Sequence, residues 1–122
     1  MYKSNIENDN RMWQKHGFYI HLEKNNKDNK KLNYHTHGVL HSRRHADFLI
    51  IQPIDPTLAK MTFIELVDML DQGLIITEGM IIGDFLGDLT LEFSKPKNND
   101  NGMVLQVIVK GLEFRSQNIG NK

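Results

Sequence analysis

The sequence of 122 residues contains no cysteine, and its fifteen Lys and Arg residues are balanced by fifteen Asp and Glu residues. The lack of cysteine excludes disulfide bonds, thiolate metal sites and cysteine nucleophiles. A net charge of zero argues against strong binding of duplex nucleic acid, which requires a basic surface. No apolar run approaches the ~18 residues of a membrane span, and the opening MYKSNIENDN lacks the apolar stretch of a signal peptide. We therefore expect a small, soluble, cytoplasmic protein that does not bind a membrane.

Two common enzyme motifs are missing as well. No serine lies in a G-x-S-x-G setting, and no glycine-rich loop has the spacing that holds a nucleotide phosphate. Histidine, which can act as a general acid or base near neutral pH, occurs six times. The sequence therefore leaves open whether the protein is an enzyme.

The charges and histidines are unevenly distributed along the chain. Residues 1–45 contain nine Lys and Arg against four Asp and Glu, a balance of +5, and residues 46–122 contain six against eleven, a balance of −5. All six histidines lie between His16 and His45. This asymmetry favours either a face suited to an anion or the docking of two copies as a homodimer. A lysine-rich loop and an acid-rich helix, each simply solvated, would also explain it.

Apolar periodicity predicts an α+β fold in a single domain over residues 1–122. We expect an antiparallel or mixed sheet of about five to six strands, one principal helix and a short N-terminal helix. The principal helix begins at Asp55-Pro56 and ends at Gly73, and the short one covers about residues 5–15. The predicted strands cover residues 18–22, 32–40, 47–51 (a continuous apolar run typical of a strand buried on both faces), 80–82, 89–93 and 103–109. Residues 24–31 are expected to form a mobile hairpin loop, and residues 1–3 and 116–122 to be frayed.

Strand parity places several histidines on one face of the first hairpin. Phe18, Ile20 and Leu22 alternate with Tyr19 and His21, so the last two should point away from the core. On the second strand the same alternation assigns His35, His37 and Val39 to the polar face, and Leu32, Tyr34, Thr36 and Leu40 to the core face. A register centred near Asp28 would pair His21 with His35 and Tyr19 with His37, so that one patch holds three imidazoles and a phenol.

Three interpretations of this patch lead to different functions. The first is a non-enzymatic binding protein whose His- and Arg-rich pocket holds a small anionic or nucleotide-like ligand. Its candidate residues are Tyr19, His21, His35, His37, Arg43, Arg44, His45 and Asp47. The second is a divalent metal site that binds zinc, iron or nickel in a metal-dependent hydrolase, with His35, His37 and His45 as candidate ligands and Asp47 as an alternative third ligand. In the third, the histidines are solvated or covered by a symmetric partner.

A different functional class stays open beside these interpretations. The uneven charge would also suit a protein–protein interaction module or an inhibitor protein of a bacterial or phage defence system. In that case Arg43 and Arg44 would contact the partner protein.

Short motifs in the first half resemble a bacterial family, domain-of-unknown-function 4262. The residues that carry the resemblance are His16-Gly17, His35-Thr36-His37-Gly38-Val39, a five-residue spacer, and His45-Ala46-Asp47-Phe48. The family shows an H-G pair, Y-T-x-G-L, a five-residue spacer and H-P-E-L, so His35, Ala46 and Asp47 depart from its pattern. The resemblance implies no settled activity or cofactor, but it matches His45 and Asp47 to the family's polar pair. This pair could equally pin the loop that precedes a buried strand.

Overall fold

The computed structural model describes residues 6–24, 32–96 and 103–111. Their elements are α1 (Ile6–His16), β1 (Tyr19–Lys24), β2 (Leu32–His37), α2 (Val39–Arg43), β3 (Asp47–Ile50), α3 (Pro56–Asp71), β4 (Ile81–Phe85), β5 (Leu89–Ser94) and β6 (Val104–Lys110). Lys24, predicted as the first residue of the hairpin loop, is the last residue of β1. The rest of that loop and the predicted frayed ends lie outside the described residues.

The described strands form one six-stranded mixed sheet with the order β1-β2-β3-β6-β5-β4. Neighbouring strands are antiparallel except β3 and β6, which are parallel, with Phe48 opposite Leu105. The sheet, the principal helix α3 and the short N-terminal helix α1 confirm the predicted α+β class. No helix among the described residues has both the length and the apolar character that a membrane span requires.

One face of the sheet carries the core. Alternate residues of the strands are buried on this face, where they pack against Phe63 and Leu66 of α3. The sheet contributes Tyr34, Phe48, Ile50, Phe85, Leu89, Leu91, Phe93, Leu105, Val107 and Val109 to this cluster. A smaller cluster of Phe18, Val39 and Val67 joins the first hairpin and α2 to α3.

The prediction that the third strand is buried on both faces is wrong. Phe48 and Ile50 are fully buried, but Leu49 is half-buried and Ile51 is 50% exposed. The reason is that α3 covers the face to which Phe48 and Ile50 belong. On the opposite face, where the histidines of the first hairpin lie, these histidine side chains are half-buried, so this face is partly accessible.

The principal helix begins and ends where its sequence predicts. The Asp55 carboxylate accepts a hydrogen bond from the Thr57 N–H at 2.7 Å, and Pro56 is the first helical residue. Gly73 follows the helix with a φ of 107°, a left-handed conformation that favours glycine. The prediction of this helix from Asp55-Pro56 to Gly73 is confirmed.

The extended segment predicted over residues 32–40 ends early. β2 stops at His37, Gly38 adopts a φ of 102°, and α2 follows directly. Because the chain becomes helical there, strand parity no longer applies, so that Val39 is buried and Leu40 is 38% exposed. The predicted faces of these two residues are therefore reversed, whereas those of Tyr34 to His37 follow the alternation.

Candidate functional site

The first hairpin has the predicted register. Tyr19 pairs with His37 and His21 with His35 in the antiparallel ladder of β1 and β2. Directly opposed residues of such a pair project to the same side of the sheet. The predicted patch of three imidazoles and one phenol is therefore present on the accessible face.

His21, His35 and His37, here called the histidine cluster, lie close enough to act together. Each ring offers one nitrogen, and these three nitrogen atoms lie within 4.8 Å of one another. The ring centroids of His35 and His37 are 4.6 Å apart, and those of His21 and His35 are 4.9 Å apart. All three side chains are half-buried. The sheet thus holds three neighbouring imidazoles at a surface that a ligand can reach.

One pair of ring nitrogens in the cluster has the separation that a metal ion requires. Nδ1 of His21 and Nε2 of His37 are 3.3 Å apart. Two ligands bound tetrahedrally at ~2.0–2.1 Å from Zn²⁺ are separated by roughly 3.3–3.4 Å. The same distance is that of a hydrogen bond in which one ring donates to the other. The pair is therefore placed either to share a proton or to bind one ion.

Two neighbouring side chains orient the rings of the cluster. The Tyr19 ring stacks on His37 with a centroid distance of 4.9 Å and an interplanar angle of 22°. Nδ1 of His35 lies 3.1 Å from Oδ1 of Asn33, where the imidazole N–H donates and the amide oxygen accepts. With the proton on Nδ1, the lone pair of the ring is on Nε2 of His35. Metal-binding histidines commonly make such a second hydrogen bond, which holds the ring and its tautomer.

His45 is not brought to the cluster. Its Nε2 accepts a hydrogen bond from the Ile76 N–H at 3.0 Å, and its Nδ1 lies 3.0 Å from the Ala46 carbonyl oxygen. Because Nε2 accepts, the proton is on Nδ1, which donates to Ala46. Both ring nitrogens thus bind backbone groups and neither can ligate a metal in this arrangement. The place that the sequence assigned to His45 beside His35 and His37 is taken by His21.

Asp47 binds backbone and a buried hydroxyl. Its carboxylate accepts hydrogen bonds from Thr36 Oγ1 at 2.7 Å, from the Val39 N–H at 2.9 Å and from the Leu40 N–H at 3.2 Å. The two N–H groups are at the start of α2, where a helix has no acceptors of its own. These contacts agree with the alternative in which His45 and Asp47 pin the loop before β3.

Arg43 belongs to a different part of the molecule from the histidine cluster. Its Nε and Nη2 donate to the two carboxylate oxygens of Asp71 at 2.8 and 3.1 Å, and its Nη1 donates to the His16 carbonyl oxygen at 2.7 Å. The guanidinium carbon lies 5.4 Å from the centre of the Phe18 ring. The hydrogen bond from Arg43 holds the pKa of Asp71 below its ordinary value of 3.8. Arg43 therefore ties α2 to α1 and α3.

Arg44 lies at a second location, also apart from the cluster. Its φ of 54° ends α2, and its side chain lines an open cleft of ≈ 350 Å³ beside His45, Glu78 and Lys95. The structure thus assembles Tyr19, His21, His35 and His37. It places Arg43, Arg44 and His45 elsewhere, and it commits the Asp47 carboxylate to Thr36 and the start of α2.

Asn33 is the site residue that the sequence interpretation missed. It lies two residues before His35 and therefore on the same face of β2, so strand parity could have identified it. His21 as a candidate metal ligand was missed as well, although the predicted register already opposed it to His35.

Comparison of the chain with protein-family models, with curated proteins and with solved structures finds no match. The resemblance to domain-of-unknown-function 4262 stays a prediction.

Proposed function

We propose that this protein binds a divalent transition-metal ion of borderline softness, such as Zn²⁺, through His21, His35 and His37. The observation that carries the proposal is the placement of three imidazole nitrogens within 4.8 Å of one another on two paired strands. Imidazole suits zinc, copper, iron and nickel, whereas carboxylate and carbonyl oxygens suit magnesium and calcium. The ligand type therefore favours the first group of ions.

Preorganisation of the cluster supports the proposal. Each histidine belongs to a strand whose neighbours fix its backbone, and Tyr19 and Asn33 restrain two of the three rings. The three ring nitrogens are separated by up to 4.8 Å, whereas two nitrogens bound to one tetrahedral zinc ion are separated by roughly 3.3–3.4 Å. Binding of an ion therefore requires small side-chain rotations that bring the rings closer together. Little conformational entropy is lost in that step, because the backbone is already ordered.

Three protein ligands leave one coordination position for water or another small molecule. Structural zinc sites close this position with a fourth side chain, and catalytic sites keep it open. We therefore place the site in the second class, which keeps a metal-dependent hydrolase as the proposed activity. A pocket formed jointly by the histidines with Arg43 and Arg44 has less support, because those arginines lie elsewhere. The interaction or inhibitor protein and the homodimer stay predictions.

Metal binding can be tested on protein purified without a polyhistidine tag. After dialysis against a chelator and then against buffer, titration with Zn²⁺ in a calorimeter should show one ion per chain, and elemental analysis should recover it. His35→Ala should weaken binding at least about 10-fold, because one of three ligands is removed.

His41→Ala is the matched control, since His41 is exposed on α2 and lies outside the cluster. Its affinity for Zn²⁺ should equal that of the wild type. Circular dichroism of both variants will show whether each is folded. Substoichiometric zinc after supplementation, or equal affinities of the His35→Ala and His41→Ala variants, would refute the proposal.

A further inference from the structure

We infer that the metal-loaded histidine cluster takes a small oxyanion, of the carboxylate or phosphate type, as its exogenous ligand. The inference rests on the proposed function and names the class of molecule that occupies the open coordination position. It follows from the charge of the ligand set, from the surroundings of the site and from the charge of this part of the chain.

The ligand set supplies no negative charge. Three neutral imidazoles leave the full double charge of a divalent ion at the site, whereas each carboxylate ligand would cancel one unit. Asp47 lies on β3 two residues before Leu49, which pairs with His35, but its carboxylate already accepts from Thr36 and from two N–H groups of α2. An anion from solution is therefore the ligand that restores the charge balance.

The site is also accessible to such a ligand. The three histidines lie on the face of the sheet that is opposite the hydrophobic core and α3. Their side chains are half-buried. β1, which carries His21, is an edge strand of the sheet. An ion bound there can keep one coordination position open to solvent. Because the rings are half-buried, the effective dielectric constant around the ion is lower than in water, which strengthens its attraction for an anion.

The charge of the surrounding sequence has the appropriate sign. Residues 1–45, which contain the whole hairpin, carry nine Lys and Arg against four Asp and Glu. A local excess of positive charge raises the concentration of anions near a site and speeds their association. The anion expected from the sequence thus binds to the metal ion and not to a pair of arginine side chains.

Cobalt spectroscopy tests the inference directly. Co²⁺ bound by three imidazoles and a fourth ligand gives intense visible d–d bands that change when the fourth ligand changes. Sodium acetate should shift these bands saturably in the untagged protein, with ionic strength held constant by perchlorate. Acetamide, the neutral counterpart of acetate, should leave them unchanged. Inorganic phosphate should shift the bands as acetate does.

Variants and outcomes separate this inference from the proposed function. In His41→Ala the bands and their shift with acetate should be retained, and in His35→Ala the bands should be lost. Bands that do not respond to acetate or phosphate, or that respond equally to acetamide, would overturn the inference and leave metal binding intact. If acetate instead returned the spectrum to that of free Co²⁺, it would have removed the ion from the protein, and the inference would also be overturned. The absence of bands in the wild type, together with no zinc binding, would overturn the proposed function itself.

Discussion

Gly38, which separates β2 from α2, lies directly beneath an aromatic ring. Its φ is 102°, and a Cβ atom at this position would lie 2.3 Å from Cζ3 of Trp13 and 2.7 Å from the Gly17 carbonyl oxygen. Both the backbone conformation and the space therefore require glycine. The two glycines of the His16-Gly17 and His37-Gly38 motifs are thus in contact, which gives these motifs a structural reason.

Gly38→Ala should lower the free energy of unfolding by about 2–4 kcal/mol, through a strained φ and a displaced indole ring. Urea unfolding monitored by circular dichroism measures the change. Gly73→Ala is the matched control, because its φ of 107° is similar but no atom lies within 4 Å of its Cβ position. The control should lose only about 1 kcal/mol. Equal losses in the two variants would show that the contact with Trp13 has no energetic weight.

Tyr34 places a hydroxyl inside the core, where it donates a hydrogen bond of 2.5 Å to the Ile54 carbonyl oxygen. Tyr34→Phe leaves that oxygen without this donor and should cost about 1–2 kcal/mol near neutral pH. Burial, with a smaller contribution from Asp55, raises the pKa of Tyr34 above its ordinary value of 10.0.

A raised pKa means that folding favours the protonated phenol. The stabilisation by this group is therefore complete below pH 10 and is lost as the pH rises through the folded-state pKa. The difference in unfolding free energy between wild type and Tyr34→Phe should be constant from pH 7 to about pH 9 and should shrink above about pH 10. A difference that grows with alkaline pH would contradict this assignment.

Strand parity explains how much of the site the sequence could predict at the scale of single residues. The alternation of Phe18, Ile20 and Leu22 determines where His21 points, so the imidazoles of β1 and β2 were predictable. His45 was not, because its ring binds the backbone of Ile76, thirty-one residues further along the chain. No local pattern indicates such a contact.

At the scale of elements, α2 is held by side chains from elsewhere in the fold. The Asp47 carboxylate binds its first N–H groups, and Arg43 near its end binds Asp71 of α3 and the carbonyl of His16 in α1. A five-residue helix has too few internal hydrogen bonds to be stable alone. Its sequence, VLHSR, has no capping residue of its own, which is why periodicity predicted a continued strand there.

Arg43→Gln should lower the free energy of unfolding by about 0.5–1 kcal/mol at pH 7, because the half-exposed ion pair with Asp71 is lost. Loss of the hydrogen bond to the His16 carbonyl oxygen should add a further decrease. Because the pKa of Asp71 is lowered in the folded state, its contribution is present above pH 3.8 and is lost as the pH falls through the folded-state pKa. The gap between the unfolding free energies of wild type and variant should therefore be constant above about pH 5 and should narrow as the pH falls below 3.8.

Asp71→Asn serves as the reciprocal variant, since it removes the titrating carboxylate and keeps the arginine. Its stability should show a weaker acid dependence than that of the wild type. A gap between Arg43→Gln and wild type that stays the same down to about pH 3 would argue against the ion pair as its source.

At the scale of the whole molecule, the histidine cluster lies on the outermost part of the sheet. β1 is an edge strand, and β2 joins the rest of the sheet through its pairing with β3, in which Tyr34 opposes Ile50 and His35 opposes Leu49. The hairpin should therefore open more readily than β5 and β6, whose buried residues form the centre of the core.

Hydrogen exchange can measure this difference and its response to metal. Amide protons of β1 and β2 should exchange faster than those of β5 and β6, and Zn²⁺ should slow the hairpin selectively. At a free Zn²⁺ concentration of 100 times the Kd, the stabilisation is about 2.7 kcal/mol, which corresponds to exchange slowed roughly 100-fold. At the same free Zn²⁺ concentration, the slowing in His35→Ala should be at most roughly 10-fold. Equal slowing of all strands, or none, would contradict a local site.

The order of the strands was beyond the reach of sequence patterns. The alternation in β5 and β6 predicts which residues are buried, but it does not specify a neighbour. The parallel pairing of β3 with β6 joins residues more than fifty positions apart, with Phe48 opposite Leu105. Only the packing of the whole core on α3 selects that partner.

This pairing separates the order of synthesis from the order of assembly. On the ribosome, β1 to β3 emerge first, and α3, β4 and β5 follow, yet neither group of strands touches the other within the sheet until β6 is available. The last described strand to be made is therefore the one that joins the two halves. A nascent chain that stalls before residue 104 would expose two additional unpaired strand edges, on β3 and β5, and such chains should depend on chaperones more than their small size suggests.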